Sequence, residues 1–95
     1  ATVVIMNLTH YAVALKYEKG MDAPIGVAKG ADAVAFKIRE VGTEHSVPIV
    51  ENPPLARALY ATVEIEQAIA PEHYKAVAEV ISFVMKLRRA AATRH

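Results

Sequence analysis

Asn7-Leu8-Thr9-His10 lies between two apolar runs, Ala1 to Met6 and Tyr11 to Tyr17, and its residue types can do chemistry on the chain itself. The side-chain amide nitrogen of an asparagine held in a tight turn can add to that residue's own backbone carbonyl. Ring closure gives a succinimide and expels the next residue's nitrogen as a new amino terminus, so the scissile bond here is Asn7-Leu8. The attack needs the amide nitrogen about 3 Å from the carbonyl carbon, a strained near-attack arrangement that the fold must supply. His10, as a neutral imidazole, could take a proton from the attacking amide or deliver one to the leaving nitrogen; the alternative is a half-buried histidine that only shapes the turn. Thr9 could hydrogen-bond within the turn or simply start a strand. Asparagine is also an ordinary turn residue, so residues beyond the tetrapeptide have to decide.

Other candidates carry less. His45, His73 and His95 fall at helix ends or on the tail without ligand spacing and are expected at the surface, and the glycines from Gly26 to Gly30 are wrongly spaced for a phosphate loop. Glu64 and Glu66 are expected to face water. Pro53-Pro54-Leu55-Ala56-Arg57 reads first as a rigid helix start. Arg57 and Tyr60, one helical turn apart, could join Pro53 and Pro54 in a docking surface. No metal site and no cofactor are expected.

The elements that must hold the turn follow from patterning. Thr2-Val3-Val4-Ile5-Met6 is β-branched and almost wholly apolar, as in a strand covered on both faces, and Tyr11 to Tyr17 reads the same way. Lys19 to Pro24 is turn chemistry, followed by a short strand from Ile25 to Ala28 that ends at Gly30. Val34, Ala35, Ile38 and Val41 recur at three and four between Ala31 and His45, opposite Lys37, Glu40 and Glu44, which predicts an amphipathic helix. Ser46 to Val50 is a further strand, making Ile25 to Val50 a strand-helix-strand unit with parallel strands. Asn52 before Pro53-Pro54 predicts a capped helix running to about Thr62. Glu64 to Ala70 reads as another helical turn. Pro71-Glu72 opens the last helix, with Lys75, Glu79, Ser82, Lys86 and Arg89 as its polar stripe. Its apolar arc of Tyr74, Val77, Val80, Ile81, Phe83, Val84 and Leu87 is expected on the sheet, with fraying beyond Ala90. The expected architecture is α/β: a small mixed four-stranded sheet packed by about three to four helices, its one antiparallel neighbour supplied by the reactive turn.

Ninety-five residues suit one domain, 1–95, with one modest core. The absence of cysteine removes disulfides and thiolate metal sites. A formal net charge of +1 with interspersed acids and bases makes no electrostatic case for nucleic acid. No apolar run approaches the ~20 residues that span a bilayer, and the chain opens on Ala1 inside a strand-like run, the expectation for a fragment of a longer protein.

Asn7 to His10 resembles the Asn-Pro-Thr-His motif of the bacterial export-gate switch family, which comprises flagellar and injectisome branches. The resemblance continues in the family's order through Tyr11 to Leu15, Val27 to Gly30, Ile38-Arg39-Glu40, Val47 to Tyr60 and Tyr74 to Val80. It covers nearly the whole chain, and the run from Glu51 to Tyr60 is its most specific part. The resemblance implies the cytoplasmic domain of a flagellar type III export apparatus, at the cytoplasmic face of the inner membrane, joined to the membrane through an absent amino-terminal part. It also implies a switch from hook-type to filament-type substrates, self-cleavage after Asn7 into pieces 1–7 and 8–95, and no turnover catalysis. The implied partners are other export-gate proteins, both substrate classes and a hook-length ruler protein. The family's proline is Leu8 here. A proline nitrogen carries no hydrogen and cannot attack the asparagine side chain, whereas Leu8 has one and reopens that deamidation route. Leucine also forms a secondary amide that resists twisting and lacks the ring that fixes a turn, so cleavage is expected to be slower than at Asn-Pro, or absent. The alternative from another class is a non-cleaving α/β module that docks a protein or RNA.

Overall fold

The computed structural model describes residues 1–8 and 10–93. β1 (Thr2–Asn7) and β2 (Tyr11–Lys16) form a hairpin around the tetrapeptide, β3 (Ile25–Ala31) follows, and α1 (Ala33–Glu44) leads to the three-residue β4 (Ile49–Glu51). α2 (Pro53–Thr62), a 3-10 turn at Pro71–His73 and α3 (Tyr74–Thr93) complete the chain. The sheet order is β3-β2-β1-β4. β1 pairs antiparallel with β2 and parallel with β4, and β2 pairs antiparallel with β3. The mixed sheet expected from the pattern is therefore present, with two antiparallel neighbours rather than one, because Lys19 to Pro24 also reverses the chain.

β1 is central, which explains its unbroken apolar run. Alternate side chains leave it in opposite directions. Val3 and Ile5 join Val13 and Leu15 in a core with Leu55, Ala56 and Leu59 of α2 and Val77, Val80 and Val84 of α3. Val4 and Met6 join Ala12, Ala14 and Ala35 in a smaller cluster under α1. β3 and β4 run in the same direction, as the strand-helix-strand reading requires, but stand at opposite edges with β2 and β1 between them.

α2 has the expected bounds: the Asn52 side chain accepts a hydrogen bond from the Leu55 N–H at 3.3 Å, and prolines fill the first turn. Three expectations are corrected. Residues 64–70 are not helical; they run along the outside of β3, held by bridges Gly26↔Ile65 and Ile25↔Ala68, so that pairing satisfies the backbone locally. The apolar arcs of α1 and α3 are only partly buried: Val34, Val41, Tyr74, Phe83 and Leu87 are exposed, because a small sheet covers a narrow stripe of each helix. α3 also continues past Ala90 to Thr93.

Candidate functional site

The hairpin places Asn7 opposite Tyr11 at the last pair of the β1–β2 ladder. Asn7 is half-buried, and Leu8, 49% exposed, begins the turn. The His10 N–H donates to the Asn7 carbonyl at 3.0 Å. That carbonyl would be the electrophile of an Asn7 cyclisation, and a donor already aimed at its oxygen would stabilise the charge that gathers there when the amide nitrogen adds. The backbone of His10 can thus assist attack independently of its ring.

Both sides of the turn are fastened. The Met6 carbonyl accepts from the Asn52 N–H at 3.0 Å, and the His10 carbonyl accepts from the Asp32 N–H at 2.9 Å. Asp32 precedes α1 with φ 51° and no side-chain cap bond, a conformation that favours glycine and costs on the order of 1–3 kcal/mol elsewhere. The strain sits where the hairpin is clamped to α1.

The His10 imidazole belongs to an exposed residue and tilts over Tyr11, with ring centroids 6.1 Å apart and planes at 52°. Tyr11 stacks in turn on Tyr60, centroids 4.5 Å apart at 27°. The Lys29 ammonium lies 5.6 Å from the Tyr60 ring centre and donates to the Val63 carbonyl at 2.7 Å and the Tyr60 carbonyl at 3.4 Å, where the last turn of α2 leaves carbonyls unpaired. Thr9 lies outside the described residues, as does His95.

The structure brings the turn and α2 together, through Asn52 at one end of the helix and Tyr60 near the other. Pro53, Pro54 and Arg57 are exposed, whereas Tyr60 is half-buried by its stack. Sequence reasoning did not single out Asp32, Lys29 or Tyr11. A lone lysine in the β3 pattern was the one available signal. His45 is exposed, and its Nδ1 lies 2.9 Å from the Val41 carbonyl. His73 departs from the surface expectation: it is half-buried, and its Nε2 is buried with no hydrogen-bond partner. Glu64 and Glu66 are exposed. Among the described residues no cluster of three His, Cys, Asp or Glu side chains could hold a metal, and no helix is long and apolar enough to cross a membrane.

The family model described as the FlhB HrpN YscU SpaS Family matches residues 1–84. The chain belongs to that family. It is similar to flagellar biosynthetic protein FlhB of Bacillus subtilis, 56% identical over 90 residues that are 94% of this chain and 25% of that protein. The FlhB of Salmonella typhimurium is 54% identical over 90 residues, 94% of this chain and 24% of its own length. The chain thus spans about a quarter of the length of these FlhB relatives. Among solved structures, the cytoplasmic domain of FlhB from Shewanella putrefaciens superposes with a TM-score of 0.89 at 48% identity, covering 97% of this chain and 75% of that one. An EscU C-terminal domain carrying an asparagine-to-alanine substitution superposes with a TM-score of 0.81 at 32% identity, covering 85% and 82%. The α/β fold of the FlhB and EscU cytoplasmic domains is therefore the fold of this chain.

Proposed function

We propose that residues 1–95 form the cytoplasmic switch domain of a flagellar type III export gate, and that its switch is a single self-cleavage by Asn7 cyclisation, which Leu8 in place of the family's proline makes slower than at Asn-Pro. The observation that carries this reading is the position of the bond. Asn7-Leu8 lies in a turn at the exit of the central strand, and β1 is paired on both edges with Val3 to Met6 buried. Cutting there removes no strand pairing and no core side chain. Pieces 1–7 and 8–95 remain one folded unit while the turn gains two chain ends and the freedom to present another surface.

In this role the domain sits at the cytoplasmic face of the bacterial inner membrane, attached through a membrane part that precedes it. It changes the export specificity of the gate from hook-type to filament-type substrates. Its partners are other export-gate proteins, the two substrate classes and the hook-length ruler protein. Asn52 and the Tyr11–Tyr60 stack hold α2 beside the turn, and Tyr60 with the exposed Pro53, Pro54 and Arg57 forms the surface where a docked partner would sense its state.

The test is intact mass during incubation of the purified chain. Two masses summing to the parent, and to the parent plus one water once the succinimide has hydrolysed, are expected and are abolished by Asn7→Ala; one unchanged mass over days would remove cleavage. Grafting the chain onto the membrane part in a strain lacking the gate protein then separates the readings. Loss of the substrate switch with export retained fits a gate domain that does not cleave; failure of all export rejects the gate assignment.

A further inference from the structure

β4 is an uncovered sheet edge beside an apolar groove. The Val4 N–H donates to the Pro48 carbonyl at 2.9 Å and the Asn52 N–H to the Met6 carbonyl at 3.0 Å. Because successive strand residues turn their backbone groups to opposite sides, the N–H and C=O of Ile49 and Glu51 point away from β1. Among the described residues no strand lies beyond β4. The opposite edge differs, since residues 64–68 bridge to β3 and cover it.

Against this edge α3 leaves a groove of about 430 Å³ lined by Ile49, Glu51, Phe83, Val84, Leu87 and Arg88, together with the two remaining residues of the Pro48–Glu51 segment. Phe83 and Leu87 are each 55% exposed, so their apolar surface faces the groove's opening instead of a core. Arg88 gives the groove a positive charge and takes part in no ion pair among the described residues, whereas the Glu51 side chain leaves β4 on the face of Ile49, the α1 side. Pro48 and Pro53 limit the edge to Ile49–Glu51, which permits a short strand and discourages longer edge-to-edge association.

We propose that the β4 edge and the Phe83/Leu87 groove form a docking site for an extended segment of a partner protein, which adds a short strand to the sheet. The unpaired backbone groups specify extended backbone, as in other strand additions. The groove specifies apolar side chains at alternate positions, and Arg88 specifies an acid beside them. The site adjoins the reactive turn by one strand: Glu51 pairs with Met6, the residue before Asn7. It does not depend on whether Asn7-Leu8 is cut.

The probes are two fluorescein-labelled peptides, Glu-Thr-Val-Thr-Val-Thr-Lys and its reverse, titrated into the full chain by fluorescence anisotropy and by amide NMR. Saturable binding of at least one, with the largest shifts at Ile49, Glu51, Phe83 and Leu87, is expected. Leu87→Asp should weaken it at least tenfold, and so should N-methylation of the central Val-Thr-Val run, which removes the backbone donors on both edges of the peptide but no side chain. Tyr74→Ser, on another part of α3, should leave it within twofold. Arg88→Glu should weaken binding, and a peptide with its glutamate changed to lysine should recover it. Absence of saturation, shifts confined to other surfaces, or binding indifferent to N-methylation would overturn the proposal.

Discussion

At the residue scale the proposed cleavage divides its work between side chain and backbone. In that proposal Asn7 supplies the attacking nitrogen, and the His10 N–H contacts the carbonyl it would attack. His10→Ala keeps that N–H, so the cleavage rate is expected to fall by less than about tenfold, under ~1.4 kcal/mol of barrier. The check is the half-life of the parent mass across pH; a larger loss that follows histidine titration would assign the work to the ring. Leu8→Pro should act in the other direction. Leu8 follows a hydrogen-bonded 7–10 turn's first residue, a place where proline fits, and Asn7 is already in a strand, the extended backbone a residue before proline requires. With deamidation closed, Leu8→Pro is expected to shorten the half-life at least tenfold, equal to about 1.4 kcal/mol, and to leave no aspartate product by mass.

At the element scale the readable parts of the fold were those with local physical causes. The Asn52 cap and the two prolines after it set the start of α2, and the apolar run of β1 announced a strand covered on both faces. Residues 64–70 were not readable, because their shape comes from bridges to Ile25 and Gly26 some 40 residues away in sequence. The clamp on the turn was hidden for the same reason: Asp32 and Asn52 act through backbone N–H groups that any residue type carries. Two stability predictions follow from these contacts. Asn52→Ala removes the cap accepting from Leu55 and should cost about 1 kcal/mol, visible as a lower urea midpoint. At buried Gly26 a methyl group would run into the Val63 side chain and stand 3.1 Å from the Glu64 carbonyl oxygen. Gly26→Ala is therefore expected to cost about 1–3 kcal/mol, the range for overpacked sites, with amide shifts concentrated at residues 63–68.

At the scale of the whole molecule, what matters is that a cut at Asn7-Leu8 converts a folded chain into a folded complex. Residues 1–7 contribute Val3 and Ile5 to the main core and Val4 and Met6 to the smaller one, so their departure would open both faces of the sheet. The pieces should co-elute under native conditions and separate only in denaturant. Thermodynamics adds a sharper expectation. Unfolding of the uncut chain releases one molecule and is independent of concentration, whereas unfolding of the cut form releases two and obeys mass action. The midpoint of thermal unfolding should rise with protein concentration for a fully cleaved sample and stay fixed for Asn7→Ala. A hundredfold dilution changes the mass-action contribution by RT ln 100, about 2.7 kcal/mol, enough to move the midpoint by several degrees in a domain of this size. A concentration-independent midpoint in a sample shown by mass to be cut would mean that the first strand leaves before the rest unfolds, and the paired-pieces account would fail.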